Sequence, residues 1–262
     1  MLSSIGLGRA SVTTVSILVI IALALSSLIV IYAQGTRDRY RPLIGGIQIE
    51  SRRYYGSYLI FREYCTIGYA ARNNSTNQVG VITGAHCVNW TTDVAVFQPE
   101  LSYAVPDYNY IGAPSYVGNY THDLAFIPYN NVACRILDTR GGTITQLNVS
   151  QISNWDELYH EVEILGRRPE ACKTGRSTNT TCGVIYRVRP DCEPPGYRYC
   201  IYTQMNATFG DSGAPLYSNY LVGGGVILYG HLKAGISGYN IVIFQHVRLA
   251  LELGFTPIVC GG

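Results

Sequence analysis

The chain has 262 residues, of which 47% are hydrophobic and only 14% charged, with a net charge of +2. That length suffices for one large or two small domains with proper cores. The near-neutral balance, with no Lys/Arg cluster to make a phosphate-binding face, excludes a nucleic-acid partner from the expected functions.

Residues 15–33 form an almost wholly apolar run, broken only by Ser16, Ser26 and Ser27 and preceded by Arg9. The run fits two roles, a signal peptide cleaved near Ala33 or an uncleaved helix that anchors the chain in a membrane. Either role puts the remainder outside the cytoplasm, as a secreted or surface-bound protein. A buried core helix does not fit, because the run has no polar face to turn to solvent. Residues 34–43 are polar, carry Pro42 near their end, and read as a linker or short pro-segment.

The folded part is expected to begin at Ile44-Gly45-Gly46-Ile47. With 28 Gly and 22 Tyr, and few long amphipathic helical patterns, the composition favours an all-β chain with many turns. Short β-type runs follow at 58–61, 66–70, 79–83, 94–98 and 124–128. A second series lies at 161–165, 183–188, 199–205, 214–217, 221–229 and 240–244, punctuated by Asn, Asp, Gly and Pro. Residues 245–253 are the one expected helix of the folded part, with Gly254 as its stop. The two series suggest two small barrels, over 44–150 and 151–262, joined near 138–158.

Eight cysteines without a Cys-x-x-Cys pair favour a disulfide framework over a zinc site, and no metal or other cofactor is expected. Asn-x-Ser/Thr sequons at Asn73, Asn74, Asn89, Asn119, Asn148, Asn179 and Asn206 agree with export and are candidate glycosylation sites.

Three strings carry chemistry: Thr83-Gly84-Ala85-His86-Cys87, Thr121-His122-Asp123-Leu124-Ala125 and Gly210-Asp211-Ser212-Gly213-Ala214-Pro215. A serine hydroxyl is a poor nucleophile at neutral pH. It needs a base within hydrogen-bond reach and a buried carboxylate to fix that base's tautomer. His86, Asp123 and Ser212 supply those groups, in the order His, Asp, Ser. Ser212 lies where glycines let the backbone turn sharply, and the N–H groups of Gly210 and Ser212 are candidate oxyanion donors. Each string alone also suits an ordinary turn or cap; the three together are far more specific.

On these strings the chain resembles the chymotrypsin-like serine proteases, in particular the branch of alpha-lytic protease and the streptogrisins. The resemblance spans most of residues 44–257 and includes Ile44-Gly45-Gly46-Ile47, Cys65-Thr66-Ile67-Gly68-Tyr69, Cys172-Lys173-Thr174-Gly175-Arg176-Ser177-Thr178 with Cys182-Gly183, and Phe244-Gln245-His246-Val247. It implies an all-β fold of two six-stranded antiparallel Greek-key barrels with a C-terminal helix. It also implies Ser212 as nucleophile, His86 as base and Asp123 as orienter, with Asp211 paired to Lys173 to shape the oxyanion loop. Disulfides Cys65–Cys87 and Cys172–Cys182 follow from the resemblance. Cys192–Cys200 is plausible from spacing and Cys134–Cys260 is the remainder; eight cysteines allow many pairings, so these two stay open.

The chain departs from that branch at several points. Gly84-Ala85 reverses the usual order before the histidine, and Ala214 replaces a common glycine. Leu228-Tyr229-Gly230 takes the place of a segment whose serine would support the triad carboxylate. No large pro-region lies between the apolar run and Ile44. By position, Asn206, Thr208 and Phe209 are expected in one wall of the substrate pocket and Leu228, Tyr229 and Gly230 in the other. Asn206 stands six residues before Ser212, where an Asp would demand Arg or Lys, so a neutral or apolar substrate side chain is expected. A glycan on Asn206 is incompatible with that residue lining a pocket.

The expected function is a monomeric serine endopeptidase acting on peptides or proteins. Two rivals remain, an inactive protease-like binding protein and an esterase of non-peptide substrates.

Overall fold

Runs with apolar residues at alternate positions make most of the chain strand, because successive side chains point to opposite faces. The computed structural model describes residues 35–102, 106–192, 196, 198–236 and 240–261. The apolar run at 15–33, expected as signal peptide or anchoring helix, lies outside them. Among the described residues no helix is long and apolar enough to cross a membrane.

The N-terminal half carries β1 (Leu43–Gly45), β2 (Gln48–Tyr55), β3 (Tyr58–Thr66), β4 (Tyr69–Asn73), β5 (Val79–Thr83), β6 (Ala95–Phe97), β7 (Tyr110–Gly112), β8 (Tyr116–Val117) and β9 (Ala125–Pro128). Two strands bridge the halves, β10 (Val132–Asp138) and β11 (Thr145–Ile152). The C-terminal half has β12 (Glu170–Gly175), β13 (Asn179–Asp191), β14 (Arg198–Gln204), β15 (Pro215–Ser218), β16 (Val226–Ile236), β17 (Ile241–His246) and β18 (Phe255–Pro257). Its helices are α1 (Trp155–Tyr159), prolonged by a π-turn at His160–Ile164, and α2 (Val247–Glu252).

Strands β12, β13, β14, β17, β16 and β15 pair in that order, and β15 returns to β12 to close a six-stranded barrel. Closure brings backbones together at glycines. A Cβ on Gly230 would stand 2.0 Å from the Gln245 carbonyl oxygen, and one on Gly183 1.9 Å from that of Gln204. Ile185, Val188, Ile201, Leu216, Leu232 and Phe244 fill the interior. Burial of each such side chain is worth about 1.5–3 kcal/mol.

The N-terminal half, with β18 added from the end of the chain, makes two sheets, β3-β2-β6-β7 and β18-β4-β5-β9-β8, whose ladders do not join in a ring among the described residues. Ile44, Ile47, Ile49, Ile67, Val81 and Ile127 pack within it. A third cluster, with Tyr69, Ile82, Phe126, Tyr217, Leu228 and Phe255, joins residues of the two halves. The bridging strands complete the junction, β10 in parallel with β1 and β11 in parallel with β16.

Several expectations change. Residues 161–165 are not a strand: they continue from α1, which Asn154 caps by accepting from the N–H groups of Asp156 (2.9 Å) and Glu157 (3.3 Å). Trp155, Leu158 and Val162, at helical spacing, bury one face of this segment. The stretch near 138–158 is not a plain connection but holds β11 and α1. The stretch taken for a linker is packed against the folded body: Thr36 and Tyr40 are buried and β1 begins at Leu43. The C-terminal helix is shorter than the expected 245–253, with His246 as its cap.

Candidate active site

The site is assembled where the two halves meet. β5 delivers Thr83, after which Gly84 and Ala85 lead into a single 3-10 turn, His86–Val88, ended by Asn89 in the left-handed region. A Cβ on Gly84 would lie 2.8 Å from Cε1 and 2.9 Å from Nδ1 of His86. Glycine in this place, the reverse of the related order, leaves room for the imidazole beside the backbone, while Ala85 is buried. The Cys65–Cys87 disulfide ties the turn to β3.

Asp123, just before β9, is almost wholly buried. Its Oδ1 accepts the His86 backbone N–H at 3.0 Å and its Oδ2 lies 2.7 Å from His86 Nδ1. Burial pushes the carboxyl up, but the hydrogen bonds from His86 and the charges of His86 and Lys233 outweigh it and hold Asp123 down at about 2. The Asp123 carbonyl lies 2.8 Å from Nε2 of His231. Burial lowers the proton affinity of His231, and because a carbonyl oxygen only accepts, Nε2–H is the donor.

Ser212 comes from the other half, on the loop between β14 and β15. Gly210 (φ +93°) and Gly213 (φ +83°) flank it in the left-handed region that favours glycine. A Cβ on Gly213 would meet Thr83 Oγ1 at 2.3 Å and the Thr66 carbonyl at 2.4 Å, so the loop lies against the strand ends that carry the histidine. Thr66 N–H donates to the Ser212 carbonyl and Gly213 N–H to that of Leu232, each at 2.8 Å. Ala214 is not among the positive-φ residues and is fully buried, so the alanine that replaces a glycine introduces no strain.

Asp211 and Lys173, both fully buried, pair at 3.1 Å. The carboxylate also accepts from the N–H groups of Ser177, Thr178 and Thr208 and from the Thr178 hydroxyl. Burial raises the Asp211 carboxyl, yet Lys173 and these donors bring it below its ordinary value; burial lowers Lys173. The approach needs Gly175, where a Cβ would be 2.4 Å from Asp211 Oδ1.

His86 and Ser212 line one cavity of about 540 Å³. Thr208 and Phe209 form part of its wall, with Met205 and Ala207; Glu63 also borders it. Asn206 does not line it: the residue is exposed and only its carbonyl is engaged, by the Thr181 hydroxyl at 2.7 Å. The opposite wall is Leu232, Lys233, Ala234 and Gly235, not Leu228, Tyr229 and Gly230. The register explains the shift. Leu216 faces Gly230 and Pro215 faces His231, so the part of β16 beside the serine loop starts near Leu232. Leu228 and Tyr229 are core residues instead.

Sequence reasoning missed His231, Lys233 and Glu63. The alternating His231 and Lys233 in an otherwise apolar strand were the available signal. The eight cysteines are joined as Cys65–Cys87, Cys134–Cys260, Cys172–Cys182 and Cys192–Cys200. Cys65, His86 and Cys87 bring three ligand-type atoms together, but both sulfurs belong to a disulfide and are not thiolates.

No family profile matches the sequence, and no curated protein matches it. In fold, the chain is similar to solved bacterial chymotrypsin-like serine proteases. Thermobifida fusca protease A aligns with a TM-score of 0.54 and 20% identity, covering 82% of this chain and 98% of that one. Nocardiopsis protease aligns at 0.55 and 18%, covering 82% and 97%. A serine protease described as glutamic-acid-specific, with a histidine triad in substrate binding, aligns at 0.55 and 19%, covering 82% and 100%. The mostly β architecture and the closed six-stranded C-terminal barrel are thus those the sequence motifs implied, whereas a second closed barrel is not present among the described residues.

Proposed function

We propose that the chain is a serine endopeptidase that hydrolyses peptide bonds through an acyl-enzyme. The observation that carries this is the 2.7 Å contact between His86 Nδ1 and the buried Asp123, facing a cavity that Ser212 also lines. With Nδ1–H held by the carboxylate, Nε2 is left as the base. Ser212 Oγ attacks the peptide carbonyl and passes its proton to Nε2. His86 returns that proton to the leaving amine, and water then releases the acyl group by the same route. The N–H groups of Gly210 and Ser212 are the oxyanion donors in this scheme, each worth about 10²–10³ in rate. Lys173 and Asp211 keep their loop in shape. In the two-barrel description, the paired sheets of the N-terminal half are the counterpart of the closed C-terminal barrel.

Met205, Leu232 and Val242 give the cavity an apolar lining, which suits a neutral or apolar side chain before the cut. Lys233 is engaged with Asp123, which argues against the acidic preference named for one structural neighbour. Four disulfides support an oxidising, extracellular setting. Residues 15–33 would serve as the export signal or anchor, and six of the seven sequon asparagines are exposed, Asn73 being half-buried.

The test is labelling of the full, disulfide-bonded chain with a fluorophosphonate. Stoichiometric labelling at Ser212 that disappears in Ser212→Ala and His86→Ala is expected. A folded chain that takes no label would favour the inactive binding protein, and cleavage of small esters without cleavage of any peptide would favour the esterase.

A further inference from the structure

The Asp123 carboxylate has a second cation beside it. His231 and Lys233 of β16 both reach Asp123, Lys233 from a point where the register with β17 shifts. Lys233 is only 7% exposed, and its Nζ lies 3.5 Å from Asp123 Oδ2, the oxygen that also holds His86 Nδ1 at 2.7 Å. The ammonium reaches the Tyr120 carbonyl at 3.4 Å and stands 5.7 Å from the centre of the Tyr120 ring. The titratable groups around it are His86 on the turn after β5, His122 and Asp123 before β9, Tyr120 on the same loop, and His231 on its own strand. Arg198 and Glu252 act on His122 from farther away. Asp123 is the anion on which His86 and Lys233 converge.

We propose that Lys233 is a positioning residue for the triad: it shares Asp123 Oδ2 with His86, fixing the carboxylate and drawing part of its charge away from the imidazole. This rests on the hydrolytic reading above. A carboxylate whose charge is shared with an ammonium stabilises a neighbouring imidazolium less than one whose charge is undivided. Burial lowers Lys233 to about 8 against the opposing pull of Asp123. The lysine therefore carries its charge through the acidic and neutral range and loses it only in mild alkali.

The test has one arm that needs no catalysis. In the full chain carrying Ser212→Ala, the His86 imidazole is titrated by NMR with Lys233 present and in Lys233→Met and Lys233→Gln. The midpoint is expected to rise by about half to one pH unit in both variants and to stay in place in Lys233→Arg. In chains that keep Ser212, the acid limb of the kcat/KM profile should move up by the same amount. The plateau kcat should fall by roughly tenfold. In the unsubstituted chain the same coupling should appear as a step in the Lys233 Cε resonance at the pH where His86 titrates. A midpoint unmoved in folded Met and Gln variants, or a Lys233 resonance blind to His86, would overturn the inference. A raised midpoint in a chain that hydrolyses nothing would uphold the pairing and reject the hydrolytic reading instead.

Discussion

A methyl group on Gly84 would press on Cε1 and Nδ1 of His86 at 2.8 and 2.9 Å. Gly84 does not sit in the left-handed region, so space and not backbone strain holds it as glycine. Gly84→Ala should therefore fold while tilting the imidazole, and a misplacement of that kind costs about 10² in kcat/KM. Activity far below wild type at nearly unchanged Tm is the expected pair of measurements; full activity would refute the packing argument. Asp123 makes a separate prediction about acid. Its folded value of about 2 lies below the usual 3.8, so its stabilisation is complete above that usual value and is lost as pH falls through the folded one. A shift of that size is on the order of 2 kcal/mol. Urea unfolding free energy should decline between about pH 4 and 2, and should decline less in Asp123→Asn.

Elements with polar interiors were the ones that alternation did not reveal. β2 carries Glu50 and Arg52, both buried, with an ion pair at 2.7 Å that hides its strand pattern. β12 buries Lys173 for the same kind of reason, its partner lying on a loop far along the chain. Lys173→Met would leave the Asp211 carboxylate buried without its cation. The expected loss is about 3–5 kcal/mol by denaturant unfolding, with slower fluorophosphonate labelling because the Gly210–Ser212 loop loses its support. The helical segment from Trp155 is a different case. Asn154 followed by Glu157 is a cap signal, and the buried spacing of Trp155, Leu158 and Val162 is helical, but β-type residues from 161 onward point the other way. Asn154→Ala should cost about 1 kcal/mol, read from urea unfolding, if the cap is what fixes that start.

At the scale of the molecule, one cross-link joins the middle of the chain to its C-terminal end. Cys134 lies on β10 and Cys260 near the last described residue, 126 positions further along the chain. Closing so long a loop restricts the unfolded chain most, so a double Cys134→Ser/Cys260→Ser variant should lose about 2–4 kcal/mol. The loss should appear in equilibrium unfolding, with His86 and Ser212 geometry intact and labelling retained below the new midpoint. A variant as stable as the parent would mean that β10 and the C-terminal strand β18 are already held by packing alone.

The sequence by itself determined the three reactive strings, the all-β character, the C-terminal helix and the glycine positions of the serine loop, because each depends on neighbours a few residues apart. The strand register beside the serine loop was beyond it. A shift along β16 replaces Leu228, Tyr229 and Gly230 by Leu232, Lys233, Ala234 and Gly235 as the cavity wall, and short-range patterning is the same for both. Asn206, on the loop after β14, is exposed and also lies outside the cavity wall. Only the tertiary structure decided that an ammonium from the C-terminal half meets a carboxylate from the N-terminal half. That contact spans 110 residues of sequence, and the packing of two halves, not any local preference, creates it.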